Sequence, residues 1–229
     1  MPQSIKLTYF PLPGRAEAAR LCFSHAGVDF EDKRVTFEEW GAMKAAMAGD
    51  DGPLFKLDSL PWLEVDGDEI SQSMAITRYA ASVTGLDGKT SIEKAKVDMI
   101  LSAHEDLNDS SGKLIGVSPE KKEEVVAEVL ETFKKNLEPL EKMLNENNGG
   151  KAWIVGDSVT VADLAIFGFL QQADMSLMMA QCGKELASEL DIPGLLALKQ
   201  RVAAIEQLQD YFKKSGEIMQ KFMEAAGSS

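Results

Sequence analysis

Cysteine and histidine are scarce in this chain of 229 residues, which contains two of each. Cys22 lies inside an apolar helical pattern and Cys182 near a predicted helix end, and neither belongs to a CxxC pair or a cluster of metal ligands. His25 and His104 are far apart, and no serine or cysteine nucleophile motif accompanies them. We therefore interpret the cysteines as cytosolic thiols without a shared role, and we find no hydrolase triad.

The sequence also contains few cationic residues and few long apolar runs. The 24 Lys and Arg residues are outnumbered by 37 Asp and Glu residues, which gives a formal net charge of −13. Nonspecific binding to nucleic acids or anionic membranes needs clustered cations. No apolar stretch approaches the roughly 20 residues of a membrane span, and the opening residues MPQSIK lack a signal-peptide core. We expect a cytoplasmic protein that binds neither nucleic acid nor membrane.

The remaining composition and its periodicity predict two domains. Hydrophobic residues make up 45% of the chain, enough for two small cores. From Ile5 to about Ser82 the pattern alternates strand, helix, strand, helix, hairpin and helix, as in a thioredoxin-like domain with a mixed sheet. After a short linker at 85–90, helical periodicity dominates. The predicted fold class is α/β plus all-α, with a thioredoxin-like domain at 1–84 and an all-helical domain at 91–229.

Several polar residues are placed where helices are expected to begin. Thr36 with Glu39 forms a capping-box pattern before the second helix. Ser91 is a candidate cap for the first helix of the helical domain, and the segment 118–120 is expected to open another helix. The segment 160–163, Thr-Val-Ala-Asp, begins a buried helix and is interpreted as a folding signal.

Two segments of the first domain carry candidate chemistry. Tyr9 ends an apolar strand pattern formed with Ile5 and Leu7, and the segment 11–15 that follows leads into a helix. The segment Leu60–Ser73 is typical of a strand, an Asp-Gly hairpin, a second strand and another helix start. One phenol therefore lies beside a helix N-terminus, and together the two segments predict a binding site for a small anionic thiol.

Three motifs carry a family resemblance: YFPLPGRAEAAR at 9–20, LPWLEVDGDEISQSMAITRYAA at 60–81 and VGDSVTVADL at 155–164. They are similar to the soluble glutathione transferases, and most of all to the sigma-like branch that contains prostaglandin D synthases and S-crystallins. The resemblance covers nearly the whole chain. It implies a glutathione-binding N-terminal domain, a helical domain that supplies an electrophile pocket and dimer contacts, glutathione as co-substrate, and no metal.

Tyr9 is the residue that the resemblance implies is catalytic. A free thiol has a pKa near 8.5 and is mostly protonated at neutral pH. A hydrogen bond to a charged acceptor contributes roughly 1.5–3 kcal/mol, or about one to two pKa units. A neutral phenol can donate that bond to the thiolate, because its own pKa is near 10. The alternative is that Tyr9 only packs at a half-buried strand position.

The resemblance also implies which residues bind the glutathione backbone. Pro61 matches the family's cis-proline, which would leave the Leu60 backbone to pair with glutathione as a short strand. Gln72 and Ser73 begin a helix whose free amides favour the glutamyl carboxylate. From the residues alone, Pro61 would be an ordinary turn proline, because cis bonds are rare even before proline, and Ser73 is equally a helix cap.

Further cations and an indole are candidates for the glycyl end of glutathione. Trp40 and Lys44 stand four residues apart on one face of a predicted helix. Arg15 adds a second cation or orders the surroundings of Tyr9. Lys44 is alternatively a solvated surface residue. The segment after it is longer than in the relatives, so Lys56 is a second candidate, and the role of the 50–59 loop stays open.

The helical domain supplies the remaining predicted contacts. Asp98 matches the acidic residue that in relatives reaches the glutamyl amine from the neighbouring subunit, which implies a homodimer; a plain surface aspartate is the alternative. The second substrate, a small hydrophobic electrophile, is expected to contact apolar surface between the domains. The candidate electrophile-pocket residues are Phe10, Leu12, His104, Asn108 and Ser111.

Acidic residues near His104 do not predict a metal site. His104, Glu105, Asp106 and Asp109 are candidate ligands by type, yet neighbouring positions point in different directions around a helix. A solvated acidic face explains them better.

The preferred hypothesis is a glutathione transferase that joins the activated thiolate to small hydrophobic electrophiles. One alternative is a glutathione-dependent isomerase or peroxidase. The prostaglandin D synthases of the branch carry aspartates for a divalent ion and a tryptophan for the lipid, where this chain has Ser102 and Lys113, so that specialised activity is less favoured. The other alternative is a noncatalytic ligand-binding or structural relative, as in the lens crystallins.

Overall fold

A computed structural model describes residues 2–47 and 59–227. The alternative ligand Lys56 and nearly all of the 50–59 loop lie outside the described residues. The chain divides into two compact units, one formed by 1–84 with 206–229 and the other by 85–205. The segment 206–229 thus groups with the first unit, whereas the sequence pattern assigned it to the helical domain.

The first unit contains a mixed four-stranded sheet. Its strands are β1 (Ile5–Tyr9), β2 (Glu31–Arg34), β3 (Trp62–Val65) and β4 (Asp68–Ser71). Their order is β2-β1-β3-β4, with β1 parallel to β2 and antiparallel to β3, and with β3 antiparallel to β4. Leu7 and Leu63 lie opposite each other and are fully buried, so this register sets the core face. Asp66 and Gly67 have φ of 50° and 98°, as a tight hairpin requires, which confirms the predicted Asp-Gly turn.

Helices flank this sheet and form the second unit. In the described residues they are α1 (Glu17–His25), α2 (Phe37–Met47), α3 (Ser73–Thr84), α4 (Ser91–Gly112), α5 (Lys122–Glu146), α6 (Val161–Met179), α7 (Leu186–Glu189), α8 (Pro193–Ala203) and α9 (Gln209–Gly227). In the first unit α1 packs against α3, and a 3₁₀ turn at Glu206–Leu208 packs on α1 before α9 begins. The predicted thioredoxin-like domain and helical domain are confirmed.

The second unit is built around α6, whose first ten residues, 161–170, are all buried. Helices α4 and α8 pack against it, and both also contact α5. Phe133 of α5 meets Phe169 of α6 edge to face, with ring centroids 5.0 Å apart. Among the helices of 2–47 and 59–227, none combines the length and the apolar character needed to cross a membrane.

Helix starts follow the capping signals, with two shifts. The Thr36 and Glu39 box is present, because the Glu39 carboxylate accepts from the Thr36 amide at 2.7 Å and the Glu39 amide donates to the Thr36 hydroxyl at 3.1 Å. The predicted cap Ser91 is wrong: Thr90 caps α4, since only Thr90 has a glutamate, Glu93, three residues later. The segment 118–120 forms a turn, and α5 begins after it.

Asp163 ties the start of α6 to the preceding loop. Its carboxylate accepts from the Ile154 amide at 2.8 Å and from the amide and hydroxyl of Thr160 at 2.8 and 3.0 Å. The side chain is fully buried. Burial raises the pKa of this carboxyl to about 6, although the three donors favour the ionised form. The predicted folding signal is therefore a buried carboxylate at a helix N-terminus.

We expect Asp163→Asn to lower the free energy of unfolding by about 2–4 kcal/mol, because an amide offers one acceptor oxygen to three converging donors. Glu93→Gln is the matched control, since Glu93 occupies the same position in the more exposed capping box of α4. That substitution should cost about 0.5–1 kcal/mol. Urea denaturation of both variants measures the difference, and equal losses would contradict the role assigned to Asp163.

Candidate active site

The strand register brings three strand ends to one edge of the sheet. Thr8 lies opposite Trp62, and Trp62 lies opposite Ser71, so these residues form a row across β1, β3 and β4. Next to this row, Tyr9 follows Thr8, Pro61 precedes Trp62 and Gln72 follows Ser71. Because β3 runs antiparallel to β1 and β4, these three residues lie toward the same edge. The two segments singled out in the sequence therefore meet at the same edge.

Tyr9 is buried at the end of β1, with 7% of its surface exposed. Its hydroxyl oxygen accepts a hydrogen bond from the Arg15 backbone amide at 3.2 Å. This bond leaves the hydroxyl hydrogen available to an external acceptor. Burial raises the pKa of the Tyr9 phenol above its ordinary value of 10, with the Arg15 amide and the charge of Arg20 opposing the effect. The phenol is consequently neutral at physiological pH and is a donor.

Gly14 allows the backbone to approach that phenol closely. It has φ of 50°, a conformation that L side chains rarely adopt, and it begins a 3₁₀ turn at Gly14–Ala16. A Cβ atom at this position would lie 2.7 Å from the Tyr9 hydroxyl oxygen and 2.8 Å from Cδ1 of Leu12. Both the backbone conformation and the available space therefore require glycine here.

Arg20 of α1 is not among the predicted site residues, yet its guanidinium lies next to the Tyr9 ring. The side chain is fully buried, and its Cζ atom is 5.6 Å from the centroid of the Tyr9 ring. The guanidinium donates to the carbonyl oxygens of Phe10, Leu12 and Pro13. The one signal in the sequence is a charged residue inside the otherwise apolar run 18–23 of α1.

The start of α3 offers backbone donors next to the same edge. The Leu60–Pro61 peptide bond is cis, as the resemblance implied, and both residues are buried. Gln72 has φ of 74°, an unusual value for a residue other than glycine, and α3 begins at Ser73. The first amides of a helix have no intrahelical acceptor and favour an anion. This arrangement can bind a carboxylate.

Helix α2 begins close to the end of β1. Tyr9 lies opposite Arg34 in the parallel pair, and the Val35 amide donates to the Tyr9 carbonyl at 2.9 Å. Trp40 and Lys44 follow in α2 and are both half-buried. Arg15 is half-buried in the 3₁₀ turn that follows β1. The structure places these side chains on elements that start at the site, and their contacts with a ligand stay predictions.

Aromatic rings extend outward from Tyr9. The Phe10 ring centroid is 5.3 Å from that of Tyr9 and 4.5 Å from that of Phe37, the first residue of α2. Phe37 keeps 62% of its surface exposed, and Leu12 is half-buried. The three rings form an apolar row in which Phe37 is the exposed member.

The predicted site residues of the helical unit are placed differently. His104, Asn108 and Ser111 are nearly fully buried. The Asn108 amide nitrogen is 3.1 Å from Nε2 of His104, and the Ser111 hydroxyl donates to that of Ser176 at 3.1 Å. Asp98 is exposed on α4. The Oδ1 atom of Asn108 is buried without a hydrogen-bond partner in the part of the chain that the structure describes. The role of these residues toward an electrophile stays a prediction.

Metal ligands and the two cysteines are the other groups for which the sequence sets an expectation. Across 2–47 and 59–227, no group of three or more His, Cys, Asp or Glu side chains is arranged to hold a metal ion. Cys22 is fully buried, and burial raises the pKa of its thiol. Cys182 is half-buried and donates to the Leu177 carbonyl at 3.3 Å. At the sheet edge Tyr9 is a neutral hydrogen-bond donor, and its action on a ligand stays a prediction.

Comparison with known proteins gives consistent results for both units. Residues 5–82 match the family model described as Glutathione S-transferase, N-terminal domain, and residues 105–215 match Glutathione S-transferase, C-terminal domain. The chain is 37% identical over 211 residues to probable glutathione S-transferase 6 of Caenorhabditis elegans, which covers 90% of this chain and 94% of that protein. It is 35% identical over 210 residues to hematopoietic prostaglandin D synthase of Gallus gallus, covering 91% and 95%. The structure of the Fasciola hepatica sigma class GST aligns with a TM-score of 0.74 at 28% identity, covering 93% and 96%.

We expect Gly14→Ala to destabilise the fold and displace the Tyr9 hydroxyl. A left-handed backbone costs an L residue about 1–2 kcal/mol, and overpacking against Tyr9 adds about 1–3 kcal/mol. Because the displaced phenol becomes more hydrated, its pKa should move back toward 10. Urea denaturation and ultraviolet titration of the tyrosines measure the two effects.

Gly27→Ala is the matched control, because Gly27 has φ of 64° and a Cβ atom added there would meet no atom within 4 Å beyond its own chain neighbours. This variant should lose only the free energy of unfolding that a left-handed backbone costs an L residue, and the pKa of Tyr9 should not change. An equal loss of stability in the two variants would contradict the close approach of Gly14 to Tyr9.

Proposed function

The chain belongs to the glutathione S-transferase family, and on that basis we propose that it joins the thiolate of glutathione to small hydrophobic electrophiles, with the Tyr9 hydroxyl stabilising the thiolate. The observation that carries this proposal is the bond from the Arg15 amide to the Tyr9 oxygen. The phenol oxygen is then satisfied as an acceptor, while its hydrogen stays free for a sulfur anion. The raised pKa of Tyr9 supports the same role, since a neutral phenol is needed to donate.

The chemistry requires two contributions from the protein. The hydrogen bond lowers the pKa of the bound thiol, so more of it is ionised at neutral pH, and the thiol proton passes to solvent. The sulfur then attacks the electrophilic carbon, a sulfur–carbon bond forms, and the leaving group departs with its electron pair. Holding both reactants together supplies the rest of the rate gain. A cytoplasmic location, where thiols are kept reduced, is part of this proposal.

The strand-end groups provide complementary partners for the rest of glutathione. The backbone of Leu60 before the cis Pro61 bond would pair with the cysteinyl part, and the start of α3 at Gln72 and Ser73 would bind the glutamyl carboxylate. Arg15, Trp40 and Lys44 would surround the remaining charges. All of these residues lie on elements that begin or end at the edge occupied by Tyr9, which supports assigning them to one ligand.

A homodimer forms a further part of the proposal. Asp98 is exposed on α4, and the same helix exposes the large apolar side chains of Ile92 and Met99. Apolar side chains on a helix surface favour a protein partner. We assign that partner to a second copy, whose Asp98 would reach the glutamyl amine. Sedimentation across a range of protein concentrations tests this assignment directly.

Glutathione-dependent isomerisation is the second candidate, because the similarity to a prostaglandin D synthase extends over nearly the whole chain. It uses the same activated thiolate. Lys113, at the approximate position of the lipid-binding tryptophan, pairs with Glu128 at 2.6 Å and presents a charged surface instead of an indole. Conjugation is therefore the better supported activity, and a panel of halide, endoperoxide and hydroperoxide substrates separates the candidates.

We expect Tyr9→Phe to reduce turnover about 10- to 100-fold while changing the affinity for glutathione less than about twofold. In the wild type, turnover should rise with pH through the lowered pKa of the bound thiol. In the variant, this limb should move up by about one to two pH units, toward the free-thiol value near 8.5. Because burial raises the pKa of Tyr9, its ionisation should cause no loss of activity below pH 10. Initial rates across pH with an aromatic halide, together with calorimetric binding of glutathione, measure these effects.

Tyr79→Phe is the matched control, because Tyr79 lies on α3 and makes no contribution to the proposed site. Its turnover and pH profile should equal those of the wild type. A Tyr9→Phe variant with unchanged turnover would remove Tyr9 from the mechanism, while absence of glutathione binding by the wild type would overturn the proposed function itself.

The exposed ring of Phe37 should contribute to binding of aromatic electrophiles, because it extends the ring row that starts at Tyr9. We expect Phe37→Ala to raise the KM for an aryl halide about three- to tenfold, since aromatic pairs contribute about 0.5–1.5 kcal/mol. The KM for an alkyl halide and that for glutathione should change little. Ile115→Ala, which removes another exposed apolar side chain, is the control. Equal effects on aryl and alkyl substrates would contradict stacking.

A further inference from the structure

A buried guanidinium fixes the backbone between Tyr9 and Gly14. Nη1 of Arg20 donates to the carbonyl oxygens of Leu12 and Pro13 at 2.9 and 3.2 Å, and Nη2 donates to that of Phe10 at 3.3 Å. Three of the four residues from Phe10 to Pro13, here called the 10–13 loop, are therefore bound by one side chain. A guanidinium is planar and has five donors, so it can satisfy several carbonyls in a fixed geometry.

The 10–13 loop determines where the Arg15 amide lies relative to Tyr9. Tyr9 is anchored in β1, whereas Arg15 follows the loop in the 3₁₀ turn at Gly14–Ala16. The amide of Arg15 reaches the Tyr9 oxygen at 3.2 Å, which is already the long end of a normal hydrogen bond. A small displacement of the loop is therefore enough to break that bond.

Arg20 is held on its other sides by two carboxylates. Its Nε donates to Asp32 Oδ1 at 2.9 Å, and Asp32 also pairs with Arg34 at 2.7 Å. Its Nη1 is 3.6 Å from Glu17 Oε2. Two guanidinium groups and two carboxylates thus balance in charge, as a buried ion network requires.

Tyr211 of α9 completes this network from a distant part of the chain. Its hydroxyl donates to Glu17 Oε2 at 2.7 Å, across a sequence separation of 194 residues. Glu17 is buried, and that bond satisfies the same oxygen that faces Arg20. Burial raises the pKa of Glu17, while the charge of Arg20 and the bond from Tyr211 oppose the effect and favour the carboxylate. Tyr211 and Arg20 therefore share one acceptor.

We propose that Arg20 is a positioning residue for Tyr9, and that Tyr211 of the C-terminal helix holds Arg20 in place through Glu17. The proposal rests on the proposed function, in which Tyr9 donates to the glutathione thiolate. Without the Tyr211 hydroxyl, Glu17 Oε2 loses its closest donor and draws the guanidinium away from the carbonyls of the 10–13 loop. The Arg15 amide then moves from the Tyr9 oxygen, and the phenol becomes a weaker donor.

The three tyrosines of the chain provide a matched series for the test, because each can be changed to phenylalanine with loss of a single hydroxyl. Tyr211→Phe should lower turnover about three- to tenfold, corresponding to one hydrogen bond, and leave the KM for glutathione unchanged. Ultraviolet titration of bound glutathione should show the thiol pKa raised by about half a unit to one unit. Tyr79→Phe should change neither quantity. Wild-type turnover and thiol pKa in Tyr211→Phe would overturn the proposal.

The double variant Tyr9→Phe with Tyr211→Phe separates positioning from a purely structural role. If Tyr211 acts through Tyr9, its removal has no further effect on the thiol pKa once the Tyr9 hydroxyl is absent. An equal additional shift in both backgrounds would overturn the proposal. The thiolate titration needs no turnover, so it stays measurable in the double variant.

Arg20→Lys tests the other end of the network and covers the case in which Tyr211→Phe fails to fold. Lysine keeps the charge, but a single ammonium with three donors cannot reach Asp32 and the loop carbonyls together. We expect a larger loss of turnover than in Tyr211→Phe, a raised thiol pKa and a retained affinity for glutathione, with circular dichroism confirming the fold. A folded Arg20→Lys protein with the wild-type thiol pKa would contradict the proposal. If Tyr9→Phe has no effect on turnover, the proposed function fails first, and the two failures remain distinguishable.

Discussion

The pairing register of β1 with β3 is the constraint on which the rest of this structure depends. Side chains alternate between the two faces of a strand, so a slip of one residue would turn Leu7 and Leu63 from the core to the opposite face. The same slip would separate Tyr9 from the cis Pro61 bond and from the start of α3. Stability and chemistry thus depend on the same register: the apolar residues select it, and the polar groups at the strand ends acquire their positions from it.

Much of the fold follows from local signals in the sequence. The Asp66-Gly67 turn between two short strands predicts the hairpin, and Thr36 with Glu39 predicts the start of α2; both are found. The error at α4 has a local cause. Thr90 and Ser91 are both good caps, and only Glu93, three residues after Thr90, distinguishes them. Local patterns are therefore informative where two residues of the pattern act together, and ambiguous where one residue is considered alone.

Local patterns in the sequence predict fewer residues of the candidate site than of the fold. Tyr9 could be singled out as a candidate because a strand, a turn and a helix follow one another around it. Arg20 could not be singled out, because a charged residue in a helix is normally solvated. Its burial depends on Asp32 in β2 and on the carbonyls of the 10–13 loop. Tyr211 is harder still, since its partner Glu17 is 194 residues away. Pairwise contacts at that separation leave no periodicity in a single sequence.

The grouping of residues 206–229 with the first unit gives that unit a discontinuous sequence. The helical unit, about 120 residues long, is translated after residues 1–84 of the first unit and before residues 206–229. At roughly 5–20 residues per second, a ribosome needs on the order of 6 to 24 seconds to cover that distance. During this interval α9 has not yet been synthesised, and the carboxylate of Glu17 lacks the hydrogen bond from the Tyr211 hydroxyl. The helical unit can fold as it emerges, whereas the unit synthesised first is the one completed last.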